Sequence, residues 1–241
     1  MHQQTIDARR ELLGNALDSD DKLSWADHQQ ELLGLRRGGF FQERFWWSTW
    51  NDKLHAPPPQ NGHKWVSPTH LMFSWAQAVV GLAQQGVVLY GDVGTGKSHL
   101  ACMTGKYLTV RYRLRSPFYV DWSVFSDDLR SASGGVDNGA YEKLERLHHA
   151  DFLLIDDLGA ERPSEFALSK LFGLLNRRNT PFIVTMNLEP GKWLHNIEAG
   201  GSSVRSDDYE RVCLEARRIA RRLAKTNGYC AAHVEIRRLH G

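Results

Sequence analysis

An α/β fold, with a parallel sheet covered by helices on both faces, follows from three features of the 241-residue sequence. Short apolar runs alternate with helix-like stretches from residue 86 almost to the C-terminus, which is the rhythm of a parallel sheet. Phe152-Leu153-Leu154-Ile155-Asp156 is apolar without alternation, as in a strand covered on both faces. Gly86-Val87-Val88-Leu89-Tyr90 is a second such run, and it leads into a glycine-rich octapeptide and a helix starting at Ser98-His99-Leu100.

Taken in order, residues 7–36 have helical apolar spacing at Leu12, Leu13 and Leu17 and again at Leu32, Leu33 and Leu35. An aromatic cluster follows: Phe40, Phe41, Phe45, Trp46, Trp47 and Trp50. Six of the eight tryptophans precede residue 76, more ring area than about fifty residues hide alone. The cluster either packs on the main domain or forms a face for a partner, where such rings are enriched. Ala56-Pro57-Pro58-Pro59-Gln60-Asn61-Gly62 cannot continue a helix. It divides an N-terminal helical, aromatic region (1–60) from the main domain (61–241). Beyond the octapeptide helix, Pro117–Asp121 reads as a strand, 122–132 as a helix, 133–139 as a loop and 140–149 as a helix. The Phe152–Asp156 strand precedes a helix from Ser164 to Arg178 and a strand at Pro181–Met186. Gly200-Gly201-Ser202-Ser203 reads as a loop, 207–226 as a long helix and Tyr229–Ile236 as a last strand.

Bulk properties exclude some classes. The apolar fraction of 41% and formal charge of +2 fit a globular protein, not a general polyanion binder. Charge is uneven, with nine Lys/Arg against five acids from Arg205 onward. Such a segment faces either phosphate or simply solvent. Cys102, Cys213 and Cys230 form no C-x-x-C pair and no zinc spacing with histidine, which fits buried thiols in a reducing compartment. No apolar run reaches transmembrane length, and the N-terminus lacks an apolar signal core. The expectation is a cytoplasmic protein without a membrane partner.

The octapeptide Gly91-Asp92-Val93-Gly94-Thr95-Gly96-Lys97-Ser98 fits G-x-x-x-x-G-K-S, the phosphate-binding P-loop. Its glycines let backbone N–H groups close on phosphate without a Cβ in the way. The helix N-terminus beneath, from Lys97 through His99, adds partial positive charge. Lys97 is placed to reach the β- and γ-phosphates of ATP, and Ser98 to offer its hydroxyl to Mg²⁺. The apolar strand ending in Asp156-Asp157 delivers carboxylates as a Walker B motif does. Asp156 would hold Mg²⁺ opposite Ser98, and Asp157 would polarise the attacking water. Asp157 is one methylene shorter than the glutamate common at that place, which predicts slow hydrolysis. Val184-Thr185-Met186-Asn187 ends a strand in an amide that could meet the γ-phosphate; the plain alternative is a turn asparagine.

GDVGTGKSHLA, FLLIDDLGAERPSEF, IVTMNL and RRIARRL, in this order, resemble the AAA+ ATPases of the DnaC/IstB group. The likeness covers roughly residues 68 to 239. It implies an AAA+ P-loop core with five parallel strands in the order 5-1-4-3-2 and ATP shared between protomers of a homo-oligomeric ring or spiral. It implies an ATPase stimulated by DNA or assembly, with Asn187 as sensor and Arg218 inserted into a neighbour's site. Arg217, Arg221 and Arg222 lie close enough to leave that register open. It also implies single-stranded DNA contacts after the second strand, from Phe125 stacking on a base and Arg130 reaching a phosphate. Lys106, Arg111, Arg113 and Arg115 add basic charge nearby in sequence. The alternative is that Phe125 belongs to the core. The function so implied is a loader delivering a replicative DNA helicase, with hydrolysis triggering release. Two other readings stay open: a transposase helper on duplex DNA, and a nucleotide-binding switch with negligible hydrolysis.

Overall fold

The computed structural model describes Met72, Trp75, Ala76 and residues 86–112, 114–135, 139–200, 207–223 and 231–235. The expected N-terminal region 1–60, its aromatic cluster and the proline-rich boundary lie outside the described residues.

Five strands form one sheet: β1 (Gly86–Tyr90), β2 (Pro117–Asp121), β3 (Phe152–Leu158), β4 (Phe182–Met186) and β5 (Ala231–Glu235). Their order is β2-β3-β4-β1-β5, the expected 5-1-4-3-2 read from the other edge. Every neighbouring pair is parallel, as helical crossovers require. The helices are α1 (Lys97–Tyr112), α2 (Trp122–Ser133), α3 (Ala140–His148), α4 (Glu165–Asn176), α5 (Pro190–Gly200) and α6 (Asp207–Leu223).

Side-chain alternation along the strands splits the core into two layers. Val87, Leu89, Phe152, Leu154 and Ile183 face α1 and pack with Leu100, Met103, Tyr107 and Leu108, joined by Met72 and Trp75. Val88, Leu153, Ile155 and Val184 face the other way, onto residues of α2 through α6. The near-continuous apolar strands are therefore what two covered faces demand. Asp121 caps α2, accepting from Val124 N at 3.3 Å, and Ser164 caps α4, accepting from Ala167 N at 3.3 Å. The helix read as starting at Ser164 thus begins one residue later, with Ser164 as its cap.

One element escaped the sequence reading. Helix α5 begins at Pro190, a residue suited to a first helical position, and buries Trp193 and Ile197 four residues apart. Gly191 and Gly200 disguise it, and Gly200, read as loop, is its last residue. Helix α6 lies against α4 and α5. Arg222 donates from Nη2 to Asn176 O at 3.0 Å and from Nε to Leu175 O at 3.4 Å, meeting carbonyls at the C-terminal end of α4.

Gly86 pairs in register with Phe182, and a Cβ at Gly86 would overlap the Phe182 ring. The ring is buried and lies over the glycine, so the strand pair has no room for a methyl group. Gly86→Ala should therefore lower stability by about 1–3 kcal/mol, read as an earlier midpoint in urea unfolding. Adding Phe182→Leu should recover part of the loss.

Candidate nucleotide site

The end of β1 turns through Gly91, Gly94 and Gly96, with φ of 145°, 78° and 94°. These are left-handed values that side chains with a Cβ rarely adopt. The loop is fastened by Thr95, whose hydroxyl donates to Asp92 O at 2.9 Å. Helix α1 starts immediately after, at Lys97, so Lys97, Ser98 and His99 form its first turn. First-turn N–H groups are those that a helix offers to an anion. Gly91, Asp92, Val93 and Gly94 build the outer rim, with Val93 strongly exposed.

Lys97 is buried, and its ammonium donates to Gly91 O at 2.9 Å and Asp92 O at 2.8 Å. Two of its three protons are thus held by the loop, and one remains for an anion. Burial pulls its pKa below the ordinary lysine value; the carboxylates of Asp157, Asp156 and Asp92 oppose this.

Ser98 and Asp156, 58 residues apart in sequence, meet directly: Ser98 Oγ donates to Asp156 Oδ1 at 2.8 Å. Asp156 has no exposure. It is held by two further hydroxyls. Thr185 on β4 donates to Oδ1 at 2.5 Å, and Tyr119 on β2 donates to Oδ2 at 2.9 Å. The Thr185 oxygen also accepts from Asp157 N at 2.9 Å. A hydroxyl and a carboxylate facing each other beside a lysine are a hard-oxygen donor set, which fits Mg²⁺ carried by a phosphate group. Ser98 would bind it directly and Asp156 through water.

The chain departs from regular strand geometry at this point. Ile155 pairs with Val184 and Leu158 with Met186, so β3 carries one more residue than β4 between those pairs. This is a β-bulge, which re-aims the side chains it carries. Asp157 sits in it with φ 54°, a left-handed conformation that aspartate tolerates better than most residues. The bulge lets both carboxylates stand at the carboxyl end of β3 instead of alternating across the sheet. Asn187 follows Met186 directly and is half-buried at the end of the adjacent strand, next to the bulge in register. Gly159 closes the turn at φ 90°; a Cβ there would lie 2.7 Å from Trp193 Cδ1, so α5 packs tightly under the loop.

Arg218 lies on α6, half exposed. It pairs with Glu215 at 2.8 Å and stacks over the Phe172 ring, 5.4 Å from its centroid. Among its neighbours, Arg217 pairs with Glu198 of α5, and Arg222 holds the α4 carbonyls. Those contacts, like that of Arg218 with Phe172 of α4, tie α6 to its neighbouring helices.

The expected DNA contacts need correction. Phe125 has no exposure. It packs edge-on against Trp122 with ring centroids 5.8 Å apart, and the Lys143 ammonium covers its face at 4.7 Å. The helix phase of α2 turns this ring into the core, so no base can stack on it. Lys106 is likewise buried within α1 and cannot meet a phosphate backbone. Arg130 is exposed and paired with Asp127, Arg115 is exposed, and Arg113 lies outside the described residues. Sequence reading also missed Tyr119 and Thr185. Their signal was a polar hydroxyl within a short apolar strand, two residues before the end of β2 and one before the end of β4.

The buried position of Phe125 sets an expectation opposite to that of a surface ring. Phe125→Ala should cost about 3–5 kcal/mol of folding stability, measured by urea unfolding, through the cavity it leaves.

Residues 76–202 match the family described as IstB-like ATP binding protein, a span that includes the P-loop, Asp156, Asp157 and Asn187 but not Arg218. The chromosomal replication initiator protein DnaA of Deinococcus deserti is 30% identical over 129 residues, covering 46% of this chain and 28% of that protein. The replicative helicase loader DnaC of Buchnera aphidicola is 29% identical over 94 residues, covering 39% of this chain and 37% of that protein. The chain thus spans well under half the length of these relatives. Among solved structures, DnaI superposes with a TM-score of 0.55 at 21% identity, covering 82% of this chain and 95% of that one. A DnaC helicase loader superposes with a TM-score of 0.50 at 19% identity, covering 81% and 99%. Among the described residues no helix is long and apolar enough to cross a membrane. With the family match extending over more than half its length and the AAA+ sheet order in place, the chain belongs to the IstB-like ATP binding proteins.

Proposed function

We propose that this protein is an ATPase that loads a replicative helicase onto single-stranded DNA. The observation that carries the ATPase reading is the 2.8 Å contact between Ser98 and Asp156, beside the Lys97 ammonium and the bulged Asp157. A P-loop alone binds phosphate. A buried carboxylate opposite the P-loop serine adds a place for Mg²⁺, and a second carboxylate one residue on can polarise water. Lys97 and the loop amides hold the β- and γ-phosphates, Asn187 senses the γ-phosphate, and Arg218 of a neighbouring protomer completes the charge stabilisation. ATP then favours a ring or spiral gripping DNA, and hydrolysis releases the helicase. The loader reading draws on the fold shared with DnaI and with the DnaC helicase loader over almost the whole length of those chains. The N-terminal residues 1–60 serve as the helicase-binding region and 61–241 as the ATPase domain.

A second reading keeps the same core but pairs it with a transposase on duplex DNA; the IstB-like family match favours it. A pull-down with the full chain separates them. Recovery of a replicative helicase supports the loader, and recovery of a transposase in its place sinks it. With Phe125 buried, a DNA surface has to use exposed side chains such as Arg130 and Arg115.

Turnover measured by phosphate release with ATP, Mg²⁺ and single-stranded DNA tests the site. Lys97→Ala should abolish turnover. Arg218→Ala should lower it by roughly a thousandfold or more, as for arginines supplied in trans, while leaving nucleotide affinity nearly unchanged. Because removing Arg218 strips buried Glu215 of its partner, the Arg218→Ala, Glu215→Ala pair is the matched control. Mixing Lys97→Ala with Arg218→Ala protein should restore part of the activity. No restoration would exclude action on a neighbour.

A further inference from the structure

We infer that Tyr119 and Thr185 are positioning residues that fix the Asp156 carboxylate for the nucleotide-bound Mg²⁺. The inference rests on the ATP·Mg²⁺ reading above and extends it to two side chains outside the P-loop and the Asp-Asp pair.

The argument is a count of lone pairs. An ionised carboxylate offers about four acceptor sites, two on each oxygen. On Asp156, Oδ1 receives both Ser98 Oγ at 2.8 Å and Thr185 Oγ1 at 2.5 Å and is full. Oδ2 receives Tyr119 at 2.9 Å and keeps one site. That remaining site is where a metal-bound water can donate. The phenol on β2 and the hydroxyl on β4 come from the two strands that neighbour β3, so the carboxylate is flanked on both sides. Thr185 contributes twice, since its oxygen also accepts from Asp157 N and pins the bulge. Both residues end in hydroxyl groups on short apolar strands where an apolar side chain would fill the same space, so packing alone does not call for them.

Charge-assisted hydrogen bonds are among the strongest single polar contacts, and losing one frees the carboxylate to rotate. The consequence should appear in how much Mg²⁺ improves nucleotide affinity, not in nucleotide affinity itself. The full-length protein is titrated with a fluorescent N-methylanthraniloyl ATP, once with Mg²⁺ and once with excess EDTA. Tyr119→Phe and Thr185→Val each keep shape and remove the hydroxyl. Each should cut the Mg²⁺-dependent gain in affinity by roughly three- to tenfold, with the EDTA affinity unchanged. Thr185→Ser, which keeps the donor, should retain the gain. If both hydroxyl-free variants keep the wild-type gain, the inference is overturned. An equal loss of affinity with and without Mg²⁺ also overturns it, since that marks general structural damage. Should one variant fail to fold, the other still decides, because either hydroxyl alone is expected to move the ratio. A wild-type protein with no Mg²⁺ gain at all would instead sink the ATP·Mg²⁺ reading.

Discussion

A carboxylate without solvent exposure, at the end of a central strand, has to be met by hydrogen-bond donors. Asp156 is that group, and the hydroxyls of Ser98, Thr185 and Tyr119 meet it. Each comes from a different element: α1, β4 and β2. The carboxylate is therefore a junction where the P-loop helix and both strands flanking β3 must arrive in one register. A one-residue slip of β2 or β4 would turn Tyr119 or Thr185 to the opposite face and leave Asp156 short of a partner.

The sheet makes this junction possible. Parallel strands put all their carboxyl ends on one edge, and the order β2-β3-β4-β1-β5 sets β3 between β2 and β4. The P-loop then leaves β1, one strand further along, and α1 returns across the sheet so that Ser98 reaches Asp156. The bulge at Asp156-Asp157 adds what a regular strand cannot provide. Successive residues of a strand point to opposite faces, and a left-handed Asp157 breaks that alternation at the one place where two adjacent carboxylates are needed. Backbone conformations of this kind are sparsely populated. The Thr185 contact to Asp157 N and the packing of Trp193 against Gly159 hold this one.

Much of this was legible in the chain. The strands are short, apolar and separated by helices, so their parallel arrangement followed from that alternation, and the glycines of the P-loop declared a backbone that needs positive φ. Helix α5 was not legible, because Gly191 and Gly200 weaken its signal and its stability comes from Trp193 and Ile197 packing, a tertiary effect. Phe125 was misplaced for a related reason. The family resemblance offered it as a DNA contact with the core as the alternative, and only the phase of α2 against the sheet decides between them: Trp122, Phe125 and Leu129 share the inward stripe. Tyr119 and Thr185 were hidden because a hydroxyl in a strand acquires meaning only when another strand brings it a carboxylate.

The arginines of α6 show how far local geometry constrains an intermolecular role. Arg217 and Arg222 are committed to Glu198 and to the α4 carbonyls, so swinging either toward another protomer would loosen helix packing. Arg218 is likewise engaged, with Glu215 one turn back and with the Phe172 ring of α4. Glu215 is itself buried, and its Oε2 has no hydrogen-bond partner among the described residues. An exposed ion pair alone is worth little, but here the carboxylate side is already desolvated, so the pair resists opening more than a surface pair would. Extending Arg218 toward a neighbour's phosphates must therefore bring a gain that exceeds the loss at Glu215. On the proposed intermolecular role, the Glu215 contact would hold the arginine back in the separate protomer.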